Sequence, residues 1–332
     1  MTHPIPPGTR DILPDEMREL RALQAKLASV FERFGYGEVA TPTVEYDSVL
    51  ARAGEVSGAP AAHRFFGPHG ELLAMRADMT VPIARLVANR YAAAELPLRF
   101  FYNARAYREV RPQRGQMGEF FQAGVELVGS GAPEGTVEVI EVLSAALDAA
   151  GLGRAVIGLG DAALYGQLLE ELEVPENERG RVLDLLAGRD LVGLATEIDR
   201  LGLSEPERDL LTAIPGLRGG SEVLERASKL GGEATDRAVA RLAETYEQIA
   251  ERGIATRVSL DLGLLRDLGY YTGAILEVYD PALGHVLGGG GRYDELMGRF
   301  GRPLPAVGFA LYLERVHVAQ AEEDRIASEG SG

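Results

Sequence analysis

The sequence has no cysteine among its 332 residues. Disulfides, thiolate nucleophiles and zinc sites with sulfur ligands are therefore excluded, and this composition fits a reducing compartment. The five histidines show no metal-binding spacing, and neither an H-E-x-x-H nor a G-x-S-x-G motif occurs. We therefore expect no metal, no cofactor and no hydrolase chemistry of these types.

Long apolar runs are also missing. The best candidate, Val137–Leu152, is interrupted by Glu138, Glu141 and Asp148, whereas a membrane-spanning helix needs about 18 or more largely apolar residues. The segment Met1–Pro14 lacks the basic and apolar regions of a signal peptide. The expected location is cytoplasmic, with no membrane partner.

Positive charge is scarce. The chain has 34 Lys and Arg against 50 Asp and Glu, which gives a formal net charge of −16, and its only lysines are Lys26 and Lys229. Tight, sequence-independent binding of nucleic acid depends on cations that face phosphates. A charge of this sign argues against it, so we expect no tRNA partner.

The chain does have enough apolar residues, 46%, to build a sizeable core. Its first 150 residues alternate helical and strand patterns without a regular βαβ repeat, which favours an α+β fold. The predicted elements are a helix over Met17–Phe34, a short edge or interface strand over Glu38–Val44, strands over Leu72–Met75, Leu98–Ala104 and Phe120–Val128, and helices over Val81–Ala94 and Thr136–Ala150.

The pattern changes between Ala162 and Gly253, where Glu, Arg, Leu and Ala dominate and helix punctuation recurs. Strand patterns then return over Thr256–Leu262, Ala274–Tyr279 and Ala306–Phe309, before a closing helix over Leu311–Glu323. We predict a discontinuous body, residues 1–160 and 254–325, interrupted by a helical insertion, residues 161–253, and followed by a loose tail, residues 326–332.

Two glycine motifs each allow two interpretations. Val156–Ala163 has the form G-x-G-x-x-A, which predicts either a tight strand-to-helix turn or a dinucleotide-binding turn. Gly288–Gly291 predicts either a flexible hairpin or a place where the chain bends sharply or approaches a ligand closely. The second motif lacks the Lys and Ser/Thr of a P-loop.

Arginines and acids concentrate over Tyr107–Gln113, and Gln122 and Glu126 follow on the next predicted strand. Being four residues apart on a strand, these two side chains share one face. A solvated strand face is one interpretation. The residues between them are mostly apolar, however, and a buried amide and carboxylate need partners, which a cationic ligand would supply.

Together these segments resemble the catalytic body of histidyl-tRNA synthetases, a class II aminoacyl-tRNA synthetase fold, over Pro6–Gly129 and Leu260–Val316. The matching stretches are an N-terminal signature at Pro7–Asp11, motif 1 at Thr41–Glu45, motif 2 at Arg108–Glu126, motif 3 at Pro305–Arg315, and histidine-specific stretches at Leu265–Tyr271 and Gly288–Asp294. The resemblance implies an antiparallel sheet flanked by helices, with a helical insertion.

The resemblance also implies a histidine-binding site. Its residues would be Asp78, Thr80 and Gln122 at the α-amino group, Glu126 and Tyr271 at the imidazole, with Tyr270 beside them, and Arg266 next to the carboxylate. The family has Glu where Asp78 stands, so the shorter side chain implies weaker binding.

The ATP site implied by the resemblance is a remnant. Arg108 and Arg315 fall on the arginines that hold the α- and γ-phosphates. Val110, however, replaces the carboxylate that accepts from adenine, which costs about 1–3 kcal/mol for an unpaired amino group. Tyr312 replaces a small glycine and would crowd the packed site. These two residues argue against ordinary ATP binding.

Only 17 residues follow Arg315, whereas a synthetase continues into an anticodon-binding domain. The resemblance therefore narrows to the synthetase-like regulatory subunits of the heteromeric ATP phosphoribosyltransferase, the first enzyme of histidine biosynthesis. It implies a protein without catalysis of its own that activates a short-form catalytic subunit and contributes to feedback inhibition by histidine. It also implies a homodimer through motif 1 within a larger hetero-oligomer.

Several alternatives stay open from the sequence. Free histidine would bind either in the synthetase-like pocket or at a subunit interface. The chain would otherwise be a truncated synthetase-like enzyme that adenylates histidine, as Arg108, Arg266 and Arg315 favour. A third interpretation is a nucleotide-binding module that uses Gly158 and Gly160.

Overall fold

A computed structural model describes residues 4–54, 62–109, 117–265, 269–281, 283 and 285–329. These ranges contain twelve strands in two sheets. The strands are β1 (Gly37–Glu38), β2 (Val44–Tyr46), β3 (Arg64–Phe66), β4 (Leu72–Met75), β5 (Leu98–Tyr107), β6 (Glu119–Val128), β7 (Val156–Asp161), β8 (Arg218–Gly219), β9 (Val258–Asp261), β10 (Ala274–Tyr279), β11 (Val286–Arg292) and β12 (Ala306–Tyr312).

The larger sheet has nine strands in the order β1-β5-β6-β12-β11-β10-β7-β9-β8. Its centre, from β5 to β7, is antiparallel throughout, and only the β1–β5 and β7–β9 pairs are parallel. The smaller sheet is antiparallel, in the order β2-β4-β3. Strands β6 and β12 are neighbours although about half the chain separates them, so the centre of the sheet forms only through non-local pairing.

The described ranges also contain twelve α-helices and three single-turn 3₁₀ helices. The α-helices are α1 (Pro14–Arg33), α2 (Asp47–Leu50), α3 (Thr80–Arg90), α4 (Glu134–Ala149), α5 (Ala163–Glu171), α6 (Glu176–Ala187), α7 (Leu191–Arg200), α8 (Glu205–Ala213), α9 (Glu222–Ser228), α10 (Glu233–Glu251), α11 (Leu296–Arg299) and α12 (Leu313–Glu329). None of them is long and apolar enough to cross a bilayer.

The two faces of the large sheet are covered differently. Alternate residues of β6, such as Ala123, Val125 and Leu127, point into a main core shared with α1, α4 and α12. The opposite face carries a smaller cluster that includes Phe100 and Tyr102 of β5 and the buried side of α3. Because a strand alternates its side chains, Gln122 and Glu126 belong to this second face.

Six consecutive helices, α5 to α10, follow one another between Ala163 and Glu251, as the Ala162–Gly253 pattern predicts. The short strand β8 lies among them and pairs with β9, which the sequence does not predict. Helix α10 is tied to the end of β7, because Nε of Arg241 donates to Oδ2 of the buried Asp161 at 2.7 Å. The division into a body and an insertion stays a prediction.

The predicted edge strand over Glu38–Val44 is wrong. Only β1 and β2 at its two ends pair with other strands. Between them, the carbonyl oxygens of Thr41 and Pro42 accept instead from Nη1 of Arg76, at 2.6 and 3.2 Å. Proline has no N–H to donate to a neighbouring strand, so this segment is held by a buried guanidinium.

The glycines of both motifs lie inside strands. Gly288–Gly291 belongs to β11, which pairs with β10 and β12, so the flexible hairpin is wrong, while the close approach to a ligand stays a prediction. A Cβ on Gly290 would overlap the carbonyl oxygen of Gly308 on β12. Gly158 and Gly160 lie within β7, so neither forms the turn that a dinucleotide-binding loop requires.

Several predicted boundaries shift. Helix α3 ends at Arg90 rather than Ala94, and β9 begins at Val258, after a 3₁₀ turn. Strand β12 continues to Tyr312, and α12 runs from Leu313 to Glu329 rather than ending at Glu323. Most of the predicted tail is therefore helical, and residues 330–332 lie outside the described part.

Candidate functional site

A cleft opens on the second face of the large sheet, below the start of α3. It is lined by residues from α3, the central strands and the connections that flank them: Asp78, Thr80, Tyr102, Arg108, Gln122, Glu126, Tyr270, Tyr271, Gly289, Gly290, Tyr293, Gly308, Phe309, Ala310 and Tyr312. Two carboxylates, an amide, a guanidinium and several phenols thus meet around one small cavity.

Small residues make the floor of this cleft. Gly124 lies between Gln122 and Glu126 on the same face of β6, and a Cβ there would meet the hydroxyl oxygen of Tyr102 at 2.6 Å. Gly308 of β12 pairs with Glu126 of β6, and a Cβ on Gly308 would overlap Oε2 of Glu126. The glycines therefore let the carboxylate and the phenol lie flat over the sheet.

Glu126 is the more buried of the two carboxyl groups of the cleft, with 1% of its surface exposed. Its Oε1 accepts from the hydroxyl of Thr80 at 2.8 Å, and its Oε2 accepts from the hydroxyl of Tyr293. Burial raises the pKa of Glu126 to about 8, although the two hydroxyl donors lower it in part and the nearby Asp78 raises it further. A fully buried carboxylate with only neutral donors holds its proton unusually strongly.

Asp78 lies nearer the mouth of the cleft, just before α3, and is partly exposed. Its Oδ1 accepts from the backbone N–H of Val81 at 3.3 Å. Loss of solvent raises the pKa of Asp78, while the positive charge of Arg108 and the N–H groups of α3 act in the opposite direction. A nearby cation and a helix N-terminus therefore both favour the ionised form of Asp78.

Gln122 is 2% exposed, and its Oε1 has no hydrogen-bond partner in the part of the chain that the structure describes. Such an orphaned buried acceptor costs free energy unless a donor reaches it. An ammonium group in the cleft would supply that donor. The oxygen atoms of Gln122, Asp78 and Thr80 are the kind of acceptors that an α-amino group needs.

Tyr312 contacts two guanidinium groups at the edge of the cleft. The Cζ atoms of Arg108 and Arg315 lie 5.8 and 4.9 Å from its ring centroid, and Nη1 of Arg108 donates to its hydroxyl at 3.4 Å. Phe120 meets the ring edge-on, with 5.4 Å between centroids. The phenol ring is thus the shared neighbour of both cations.

The structure brings most of the predicted site residues together. Asp78, Thr80, Gln122, Glu126, Tyr270, Tyr271 and Arg108 all line the cleft. Arg315 does not: it is exposed, donates to the carbonyl oxygen of Val286 at 2.7 Å and stacks against Tyr312. Arg266 and Val110 lie outside the described residues.

Sequence reasoning missed two tyrosines of the cleft, Tyr102 and Tyr293. Tyr293 belongs to the Gly288–Asp294 stretch, but nothing local indicates that it reaches Glu126, which is 167 residues away in the chain. Tyr102 is paired with Gly124 in the β5–β6 ladder. The sequence signal for Tyr102 was Gly124. A glycine between two buried polar residues on one strand face leaves room for a large side chain from the neighbouring strand.

Comparison with known proteins decides the family. A family model of histidyl-tRNA synthetase matches residues 8–316. The ATP phosphoribosyltransferase regulatory subunits of Moorella thermoacetica and Symbiobacterium thermophilum are each 40% identical to the chain, and the matches cover 96% and 98% of it and 82% of each relative. The chain belongs to the ATP phosphoribosyltransferase regulatory subunit family. The predicted membership is confirmed.

Solved structures show which fold this regulatory subunit family has. A structure described as an ATP phosphoribosyltransferase regulatory subunit/histidyl-tRNA synthetase from Bacillus halodurans is similar with a TM-score of 0.88 and 33% identity, covering 96% of this chain and 84% of that one. Histidyl-tRNA synthetase from Nostoc sp. PCC 7120 has a TM-score of 0.79 at 22% identity, covering 99% of this chain and 76% of that one, and shows the fold alone. The predicted class II synthetase-like α+β fold is confirmed.

Proposed function

We propose that this chain is the non-catalytic regulatory subunit of an ATP phosphoribosyltransferase in histidine biosynthesis. It activates a short-form catalytic subunit and contributes to feedback inhibition by histidine. The observation that carries the proposal is the 40% identity to named regulatory subunits over nearly the whole chain. The cleft on the large sheet adds a chemically suitable sensor for the inhibitor.

The cleft suits free histidine in two separate respects. The acceptors of Asp78, Thr80 and Gln122 match an α-amino group, which donates three hydrogen bonds. Deeper in the cleft, Glu126 offers its carboxyl group to an imidazole nitrogen, with Tyr270 and Tyr271 beside it. Arg266 is proposed to hold the ligand carboxylate, as the family resemblance implies.

Feedback requires that histidine and the catalytic subunit influence each other's binding. Linkage makes such a coupling reciprocal. The deciding experiment mixes the chain with a short-form catalytic subunit and measures phosphoribosyl transfer with and without histidine. Activation by the chain and inhibition by histidine that depends on the chain support the proposal. No complex and no change in rate would contradict it.

The same proposal includes a homodimer through motif 1 within a larger hetero-oligomer. Motif 1 runs into β2 of the small sheet, where Glu45 is held by Arg85 with Nη2 2.6 Å from Oε1. The small sheet carries exposed apolar side chains: Phe66 and Leu72, 76% and 40% exposed, are paired across β3 and β4 and therefore share one face. Large apolar side chains exposed together are typical of an interaction surface.

A second candidate function is a histidine-adenylating enzyme. It is favoured by Arg108 and Arg315, two cations at the edge of the histidine cleft that suit a polyphosphate. Tyr312 opposes it, because its ring contacts both cations and takes up room that a nucleotide would need beside them. Histidine-dependent exchange of pyrophosphate into ATP tests this candidate directly, and we expect no exchange.

A further inference from the structure

We propose that histidine and Glu126 share a single proton in the complex, and that Tyr293 is the positioning residue that sets the pH range of this sharing. The inference rests on the proposed function, because it takes histidine as the ligand of the cleft. It concerns how the ligand is recognised and how its binding responds to pH.

The surroundings of Glu126 are polar but almost free of charge. The titratable and charged groups around it come from every neighbouring element: Asp78 before α3, Tyr102 on β5, Arg108 after β5, Tyr270 and Tyr271 before β10, Tyr293 after β11, Tyr312 on β12, and Tyr36 from the far side of the sheet. Burial holds the pKa values of Tyr102, Tyr270 and Tyr293 well above their usual range, so these phenols stay neutral.

The charged side chains that line the described cleft are then Asp78, Arg108 and Glu126. Both oxygens of Glu126 accept from neutral hydroxyl groups, those of Thr80 and Tyr293, so its described hydrogen-bond partners carry no charge. The group that can exchange a proton with Glu126 is then the imidazole of the ligand. With one proton between them this pair is neutral as a whole, whereas two protons or none would leave a net charge buried against Glu126.

If the complex holds one shared proton, the affinity for histidine is constant over a middle range of pH and falls on both sides of it. We call the two falling parts the acid limb and the alkaline limb. Free imidazole has a pKa of about 6.5, and the pKa of Glu126 in the ligand-free protein is about 8. Between these values one partner already carries the proton, so binding neither releases nor takes up protons. Below about pH 6.5 one proton must be released, and above the pKa of Glu126 one must be taken up. Affinity therefore falls about tenfold per pH unit on either side.

Tyr293 sets the position of the alkaline limb. Its hydroxyl donates to Oε2 of Glu126 and so favours the ionised carboxylate. Removing this donor with Tyr293→Phe raises the pKa of Glu126, and the limb moves to higher pH. A residue that only maintained the shape of the cleft would lower affinity equally at every pH.

The experiment is calorimetric titration of the full chain with histidine between pH 5.5 and about 9, in two buffers of different ionisation enthalpy. We expect proton release at the acid end, none near pH 7 and uptake at the alkaline end. Glu126→Gln should abolish the uptake and keep the release. Glu119→Gln, on the same strand but outside the cleft, should behave like wild type.

The outcomes separate this inference from the proposed function. If histidine does not bind the chain, or binds equally well to Glu126→Ala, the histidine cleft and the shared proton both fail, whereas the regulatory role is decided separately by the phosphoribosyl-transfer assay. If it binds in the cleft but wild type takes up no proton above the pKa of Glu126, only the shared proton fails. The assignment also fails if Glu126→Gln retains the uptake, because the ligand's own ammonium then explains it, or if Tyr293→Phe leaves the limb where it was.

Discussion

At the scale of single residues, Glu126 is the group proposed to recognise the imidazole, so its removal tests the histidine pocket most directly. We expect Glu126→Ala to weaken histidine binding about 10- to 100-fold near pH 7, because a hydrogen bond to a charged group contributes roughly 1.5–3 kcal/mol. Calorimetry measures the dissociation constant. Glu119→Ala is the matched control, since Glu119 faces Arg105 outside the cleft. An unchanged constant would place histidine elsewhere, for example at a subunit interface.

A second prediction at the residue scale concerns Tyr312, whose removal should strengthen ATP binding. Its ring contacts both Arg108 and Arg315, so we expect it to crowd a bound nucleotide, and overpacking of this kind costs about 1–3 kcal/mol. Tyr312→Gly should therefore bind ATP roughly 5- to 150-fold more tightly than wild type, measured by equilibrium dialysis. Tyr312→Phe, which keeps the ring, should still exclude ATP. Equal ATP binding by wild type and Tyr312→Gly would show that the ring is not the obstacle.

At the scale of elements, the close contact of β6 and β12 depends on glycine. A Cβ on Gly308 would overlap Oε2 of Glu126 and crowd the β6 backbone. Gly308→Ala should lower the free energy of unfolding by about 1–3 kcal/mol and abolish histidine binding, as urea denaturation and calorimetry would show. Gly166→Ala is the control, because Gly166 lies in α5 with no atom near its added Cβ. That variant should be up to about 1 kcal/mol more stable. Equal stability of Gly308→Ala and wild type would mean that the strands can separate without cost.

The elements also show why sequence patterns predict this fold only in part. The period-two pattern of β6 places Gln122 and Glu126 on one face, because that rule is local. The residues that complete the cleft come from β5, β11 and β12, and which strands become neighbours depends on long-range pairing that no local pattern contains. The segment after Glu38 was mispredicted for a similar reason, since the distant Arg76 takes its carbonyl oxygens.

At the scale of the whole molecule, the exposed side of the small sheet predicts self-association. Phe66 is 76% exposed there, and burying such a side chain contributes roughly 1.5–3 kcal/mol. Phe66→Ser should therefore raise the dimer dissociation constant about 10- to 100-fold, measured by sedimentation equilibrium. Val318→Ser is the control, because Val318 is 56% exposed on α12, away from the small sheet. A dimer equally stable in both variants would place the interface elsewhere.

Regulation is also a property of the assembly, and linkage turns it into a quantitative prediction. If histidine in the cleft and the catalytic subunit are coupled, each changes the other's affinity by the same factor, typically about 5- to 150-fold. Two titrations measure that factor independently: histidine with and without saturating catalytic subunit, and catalytic subunit with and without saturating histidine. Glu126→Ala should remove the coupling while leaving the complex intact, because Glu126 is buried in the cleft. If inhibition by histidine survives in this variant, the regulatory histidine acts at a subunit interface rather than in the synthetase-like pocket.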